Sequence, residues 1–237
     1  MNDPLIFLPG WCLGSGPLRT AVDALEGRIF DLPGYGSAPL IEDFDAAAAD
    51  IADRLPARCT LAGWSIGAQL ALAIAARAPE KIGKLLLVAG TASFVQRDGW
   101  PYAMAPEMLK EFAAAIAADA KAMLPRFVGG FNRGDRHAKA CTASLLAQAD
   151  PLPPAGVLNS GLNWLRDVDL RPSLPGIHMP TLLLHGAADP LMPIGAAESL
   201  RDSLPNARLH VFAECAHAPF ISAPDDFIRI CRAFLHE

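Results

Sequence analysis

The chain has 237 residues, 52% of them hydrophobic and 19% charged, and a formal net charge of −5. That is enough apolar material for one core, too little charge for a disordered chain, and the wrong sign for a global nucleic-acid-binding field. The apolar runs, such as the one within residues 84–89, are too short to span a bilayer.

The N-terminal Met1-Asn2-Asp3-Pro4 has neither the basic start nor the cleavage site of a secretory signal. A cytoplasmic protein is therefore expected. The cysteines (Cys12, Cys59, Cys141, Cys215 and Cys231) are scattered, and no pair has C-x-x-C spacing. Reduced, partly buried thiols are expected, with neither a disulfide framework nor a zinc site.

A first strand is expected at residues 5–8. A second, at 28–32, ends in the turn Pro33-Gly34-Tyr35-Gly36. A helix follows over 45–55, then a strand at 58–62, a helix at 68–77 and an unbroken apolar strand at 84–89. Further on, strands are expected at 181–185 and 208–212, a helix over 194–204 between them, and a closing helix over 224–235. Strand and helix in alternation imply a mostly parallel sheet with helices on both faces. One stretch breaks the rhythm. Between about Trp100 and Trp164 the pattern is helical only, with pieces at 106–118, 119–131, 136–149 and 154–165. This reads as a helical lid over residues 100–167, inserted into a core made of 1–99 and 168–237.

The chemical signal is Gly63-Trp64-Ser65-Ile66-Gly67, which follows an expected strand and precedes an expected helix. In that context G-x-S-x-G marks a nucleophile elbow. The chain must reverse sharply at the serine, so flanking side chains would clash and glycine is wanted on both sides. The plain alternative is a tight turn. A serine hydroxyl needs a base within reach, and that base needs an orienting carboxylate. In chain order, Asp189 follows the strand at 181–185 and His217 follows the strand at 208–212, so both fall on the sheet edge that carries Ser65. Asp189 also reads as a turn former before Pro190, and His217 as a packing or helix-entry residue. His185 and His210 sit inside strands, His137 lies in the lid, and His178 and His236 lie in a loop and at the terminus. Asp31 precedes the serine and reads as a turn residue. Cys215 has no elbow around it.

An acyl-transfer site also needs two backbone N–H groups for an oxyanion. Ile66, immediately after the serine, supplies one. The other is expected from the loop Pro9-Gly10-Trp11-Cys12-Leu13-Gly14, at Trp11, whose side chain alternatively does no more than pack.

Taken together these residues resemble the α/β-hydrolase superfamily. Within it, several stretches resemble the pimeloyl-acyl-carrier-protein methyl ester carboxylesterases of biotin synthesis. They are Leu8-Pro9-Gly10-Trp11, Asp31-Leu32-Pro33-Gly34-Tyr35-Gly36-Ser37, the elbow, Val157-Leu158-Asn159-Ser160-Gly161-Leu162, Val168-Asp169-Leu170-Arg171 and Ala216-His217-Ala218-Pro219-Phe220-Ile221-Ser222. The tryptophan before the serine, the lid segment and the run around His217 are the more discriminating ones. The resemblance covers nearly the whole chain. It implies a carboxylesterase that frees the carboxylate of a carrier-bound pimeloyl chain, with no metal and no organic cofactor.

By the same resemblance the substrate would meet Trp11, Ser65, Ile66, His217 and the segment Phe127-Val128-Gly129-Gly130-Phe131. The acidic acyl-carrier protein would meet basic lid residues, here Lys121, Arg126, Arg133, Arg136 and Lys139. These lie close to the family's positions but displaced from them, and a solvated lid face would look much the same. Gly129-Gly130 departs from the bulkier residues expected there. The protein is expected to act as a monomer, without nucleic acid or membrane. The alternatives are a carrier-protein thioesterase, a hydrolase of small esters or of carbon–carbon bonds, and a non-catalytic receptor on the same scaffold. A dehalogenase is disfavoured because serine stands where that chemistry needs a carboxylate.

Overall fold

The computed structural model describes residues 3–237. Met1 and Asn2, which entered the reading of the N-terminus, lie outside the described residues.

Six strands form one sheet: β1 (Leu5–Leu8), β2 (Arg28–Ile29), β3 (Cys59–Trp64), β4 (Ile82–Val88), β5 (Thr181–Gly186) and β6 (Ala207–Phe212). Their order is β2-β1-β3-β4-β5-β6, and every neighbouring pair is parallel. β3 and β5 are buried at every position. Residues of a strand point alternately to the two faces, so both faces of the central sheet are covered.

The helices of the core are α1 (Arg19–Ala24), α2 (Phe44–Arg54), α3 (Ile66–Arg77), α7 (Ile194–Ser203), the short α8 (Pro219–Ser222) and α9 (Pro224–Leu235). Local chemistry fixes their ends. The Asp43 carboxylate accepts from Ala46 N at 2.7 Å and opens α2. Asp225 and Asp226 occupy the first turn of α9, where carboxylates favour the helix dipole. At its other end Lys84 Nζ donates to the carbonyls of Phe234 (2.8 Å) and Leu235 (3.1 Å). The apolar stripe Phe227, Cys231 and Phe234 is buried.

The second strand is shorter than the sequence suggests, ending at Ile29 rather than at residue 32. It lies at the sheet edge with β1 as its one partner among the described residues, so none of them extends the ladder on the outer side. The elbow strand reaches Trp64 and α3 begins at Ile66. The sharp turn is therefore compressed to Ser65 alone.

Between β4 and β5 the chain leaves the sheet and forms α4 (Pro106–Phe131), α5 (Ala138–Gln148) and α6 (Ala155–Asp167). α4 is broken at Asp119 (φ −156°, ψ 81°), where the sequence places a boundary between two helices. The Asp119 carboxylate accepts from Ala122 N at 3.0 Å and so restarts the helix. The insertion is tied to the core by Trp164, whose indole N–H donates to Glu42 O at 2.6 Å. It is tied also by Asp150, which accepts from Ser15 N at 2.7 Å and Ser15 Oγ at 2.9 Å. Among the described residues no helix is long and apolar enough to cross a membrane.

The topology decides where a ligand goes. The chain runs from β1 outward to β2, then returns across β1 to β3. The crevice at the C-terminal ends of β1 and β3, where the winding reverses, is the binding position in open parallel sheets. The loops bearing Trp11 and Ser65 stand on either side of it.

Candidate active site

Ser65 is the junction of β3 and α3, with φ 59° and ψ −120°. That left-handed backbone is costly for a residue with a side chain. It persists because the surroundings leave no alternative path. A Cβ on Gly63 would meet the carbonyl of Gly67, and one on Gly67 would meet the carbonyl of Leu8. Strand, turn and helix are thus pressed backbone to backbone, and Ser65 N donates to Val88 O at 2.9 Å. Only a small part of Ser65 is exposed, 8% of its surface. Ile66 is the first residue of α3, so its N–H has no carbonyl within the helix to bond.

His217 Nδ1 lies 2.7 Å from Asp189 Oδ2, and both residues are buried. A carboxylate only accepts, so Nδ1 carries the proton and Nε2 keeps its lone pair. Asp189 is itself fixed, because its Oδ1 accepts from Leu191 N and Met192 N, both at 2.9 Å. The two loops meet at Gly186, where a Cβ would strike the carbonyls of Cys215 and Ala216. Ala188 N then donates to Cys215 O at 3.0 Å. Glycine at the end of β5 is what lets the Asp189 and His217 loops come this close.

His185 has a part that the reading of the sequence did not assign to it. It lies on β5, buried, with Nε2 2.7 Å from Met192 O and 3.9 Å from Asp189 Oδ2. The carbonyl only accepts, so Nε2 is the protonated nitrogen. Burial pushes this imidazole below the ordinary histidine value, against the opposing pull of Asp189. A neutral ring thus backs the carboxylate and ties it to the Met192 turn. The signal was the spacing His185 to Asp189 at the end of an apolar strand, and a buried strand histidine reads equally as packing.

In the loop after β1, Leu13 N donates to Trp11 O (3.0 Å) and Cys12 N donates to the Tyr35 hydroxyl (2.9 Å). Cys12 is held at φ 69°. The Trp11 indole N–H donates to Leu158 O of α6 at 3.1 Å, and its ring meets Phe112 and Phe127 edge-on at 5.8 and 5.5 Å. Trp11, Ser65 and His217 all line one small cleft of about 20 Å³, whose walls also include Phe127 and Phe131.

Beyond Phe127, Phe131 and Leu191 lies a larger cavity of about 320 Å³, walled by Met104, Met108, Phe112 and Met123, with Arg126 as its one charged residue. Its size falls in the ordinary range for small-molecule sites, ~300–1,000 Å³. Of the segment singled out in the sequence, Phe127, Gly130 and Phe131 face these spaces. Val128 is fully buried elsewhere, and Gly129 is turned toward Thr142. Lys121, Arg126, Arg133, Arg136 and Lys139 are all exposed. Arg136 is paired with Glu214 at 2.7 Å.

A model of the alpha/beta hydrolase family matches residues 5–230. The chain belongs to that family. Within it, the chain is 38% identical to the pimeloyl-[acyl-carrier protein] methyl ester esterase of Nitrosomonas europaea, over 96% of this chain and 94% of that one. It is also 38% identical to the enzyme of the same name from Aromatoleum aromaticum, over 95% and 96%. Among solved structures it is similar to an esterase from Exiguobacterium antarcticum, with a TM-score of 0.89 and 26% identity over 100% of this chain and 94% of that one. Membership of this branch makes the protein a carboxylic ester hydrolase.

Two outcomes follow from the local physics. Strain at Ser65 costs about 1–3 kcal/mol, whereas glycine's extra unfolded-state entropy costs about 0.5–1 kcal/mol. The first is larger, so Ser65→Gly is expected to be more stable than the parent in urea unfolding; a lower midpoint would contradict a strained elbow. For His185, the unfolded chain takes up a proton near pH ~6.5, while the folded site resists it. Stability is then complete above that pH and is lost as pH falls from it toward the lowered folded value. Urea midpoints between pH 7 and 5 should fall for the parent and fall less for His185→Gln. Equal slopes would remove His185 from the acid response.

Proposed function

We propose that the protein hydrolyses the methyl ester of a pimeloyl chain carried on acyl-carrier protein, with Ser65 as nucleophile, His217 as base and Asp189 as the group that orients the base. The observation that carries this reading is the 2.7 Å His217–Asp189 contact at the cleft of Ser65, combined with an apolar cavity bordered by Arg126. The names of the relatives supply the substrate class.

His217 Nε2 takes the Ser65 proton as Oγ attacks the ester carbonyl. The N–H groups of Trp11 and Ile66 stabilise the oxyanion, a contribution worth about 10²–10³ in rate per donor. The Cys12 and Leu13 amides are already engaged, which supports Trp11 as the donor from that loop. The imidazolium then protonates departing methanol. Water activated by His217 cleaves the acyl-enzyme and frees Ser65. Asp189 keeps the proton on Nδ1 and stabilises the cation that forms transiently. The methylenes of the acyl chain match the Met and Phe walls, and the carrier stays outside on the helical insertion. Arg126 stands where that insertion meets the cavity, so its charge steers an acidic carrier despite the net charge of −5.

The deciding experiment is mass spectrometry of pimeloyl-carrier-protein methyl ester incubated with the parent and with Ser65→Ala. Loss of one methylene mass is expected with the parent, and a rate lower by about 10⁴–10⁶ with the variant. Loss of the whole acyl group would make the protein a thioesterase, and an unchanged substrate would remove the carrier-linked ester. Arg126→Glu should raise KM for the carrier-linked ester several-fold and leave kcat/KM for a small p-nitrophenyl ester unchanged. An equal effect on both substrates would place Arg126 in folding rather than docking.

A further inference from the structure

The loop between α4 and α5 buries one carboxylate, Asp135, at 7% exposure. Every group bonded to it is a donor. Oδ2 accepts from Ala216 N at 2.8 Å. Oδ1 accepts from His137 N at 2.7 Å, from Ser222 Oγ at 2.8 Å, and from Cys141 Sγ at 3.8 Å. The neighbouring Arg136 N donates to Glu214 O at 2.9 Å. The helical insertion is therefore stitched to the loop 213–218, and the strongest stitch lands on the amide next to His217.

Burying a carboxylate is expensive unless its oxygens are bonded. For packing alone an apolar residue would serve at lower cost, so the placement of this charge calls for a reason. The Ala216 amide needs one: it is drawn away from any sheet or helix partner by the close contact of its loop with Gly186. His217 is otherwise held by Asp189 at Nδ1 and by Trp64 Nε1, which donates to its carbonyl at 2.9 Å. The Ala216 bond fixes the Cys215–Ala216 peptide, one residue before His217 on its other side.

We infer that Asp135 is a positioning residue: by accepting from Ala216 N it sets the direction in which His217 presents Nε2, and it makes the base depend on the seating of the helical insertion. This inference rests on His217 being the base. An insertion lifted from the core carries Asp135 with it and leaves the Ala216 N–H without its acceptor, so the base is aligned only while the cavity is covered.

Asparagine is nearly isosteric, yet it cannot do this work. With its oxygen toward Ala216, its NH2 faces the His137 N–H; turned around, its NH2 faces the Ala216 N–H. The test is the rate of Ser65 labelling by a fluorophosphonate together with kcat and KM for a small p-nitrophenyl ester, in the parent, Asp135→Asn and Ser222→Ala. Misalignment of a base by a fraction of an ångström up to about 1 Å costs up to about 100-fold. Asp135→Asn is therefore expected to lower both the labelling rate and kcat by about 10- to 100-fold with KM unchanged. Ser222→Ala, which removes one donor from the far oxygen, should lower them a few-fold in the same pattern. Should Asp135→Asn not fold, Ser222→Ala decides alone. Labelling at the parent rate in the folded variants, or a change in KM without one in kcat, overturns the inference. A parent protein that is not labelled at Ser65 would instead remove the serine-hydrolase mechanism itself.

Discussion

The indole of Trp64 is the piece on which the rest of the site is assembled. It is the last residue of β3, 1% exposed, and it touches three of the segments that the chemistry needs. Ser65 is its neighbour in the chain. Gly10, at the start of the Trp11 loop, lies flat against its ring. Its N–H holds the His217 carbonyl, and its ring packs against His217, Phe131 and Phe220. Loops are ordinarily the mobile parts of a fold. Here three of them share one rigid side chain on a central strand, so their relative positions are set by packing rather than by each loop's own preferences.

The backbone contacts make the same point in a second way. At the elbow and again at Gly186, no atom separates one segment from the next. Such contacts cannot be loosened gradually, because a close-packed interior has few small voids to move into. The positive φ of Ser65 is the residual stress of this compression. It survives because releasing it would require β3, α3 and the end of β1 to part together. Position of the hydroxyl and instability of the turn have the same origin.

Much of this was legible in the sequence, for identifiable reasons. The elbow, Asp189 and His217 each come shortly after the C-terminal end of a strand, so chain order and sheet topology together put them on one edge. The boundary read between residues 118 and 119 coincides with the break in α4, where the structure shows the Asp119 carboxylate capping the turn that follows. The second strand was overestimated because Ile29, Phe30 and Leu32 are apolar enough to read as a strand despite Asp31, while pairing depends on an edge that composition does not reveal. His185 and Asp135 were not legible as part of the site. Asp135 sits among Arg133, Gly134 and Arg136, a run that reads as a solvated turn. Its partner Ala216 is 81 residues away, and only the tertiary fold brings a donor to it.

The insertion is accordingly more than a cover. Its α6 holds the Trp11 indole through Leu158, the residue before Pro151 anchors the Ser15 turn, and its α4–α5 loop holds the His217 loop. Closing two separate core loops, at residues 9–15 and 213–218, by bonds to one helical body reduces their freedom at once, since ordering that body orders both of them. Of its helices, α4 walls the apolar cavity, with Pro190 and Leu191 of the core on the other side. A ligand that fills the cavity adds contacts between insertion and core, and those contacts favour the seated arrangement in which the loops are braced. Under the proposed function, binding energy gained along an acyl chain in that cavity would bear on the alignment of groups at Ser65 that the chain itself does not touch. This is how interactions remote from the reacting bond come to act on the rate as well as on affinity.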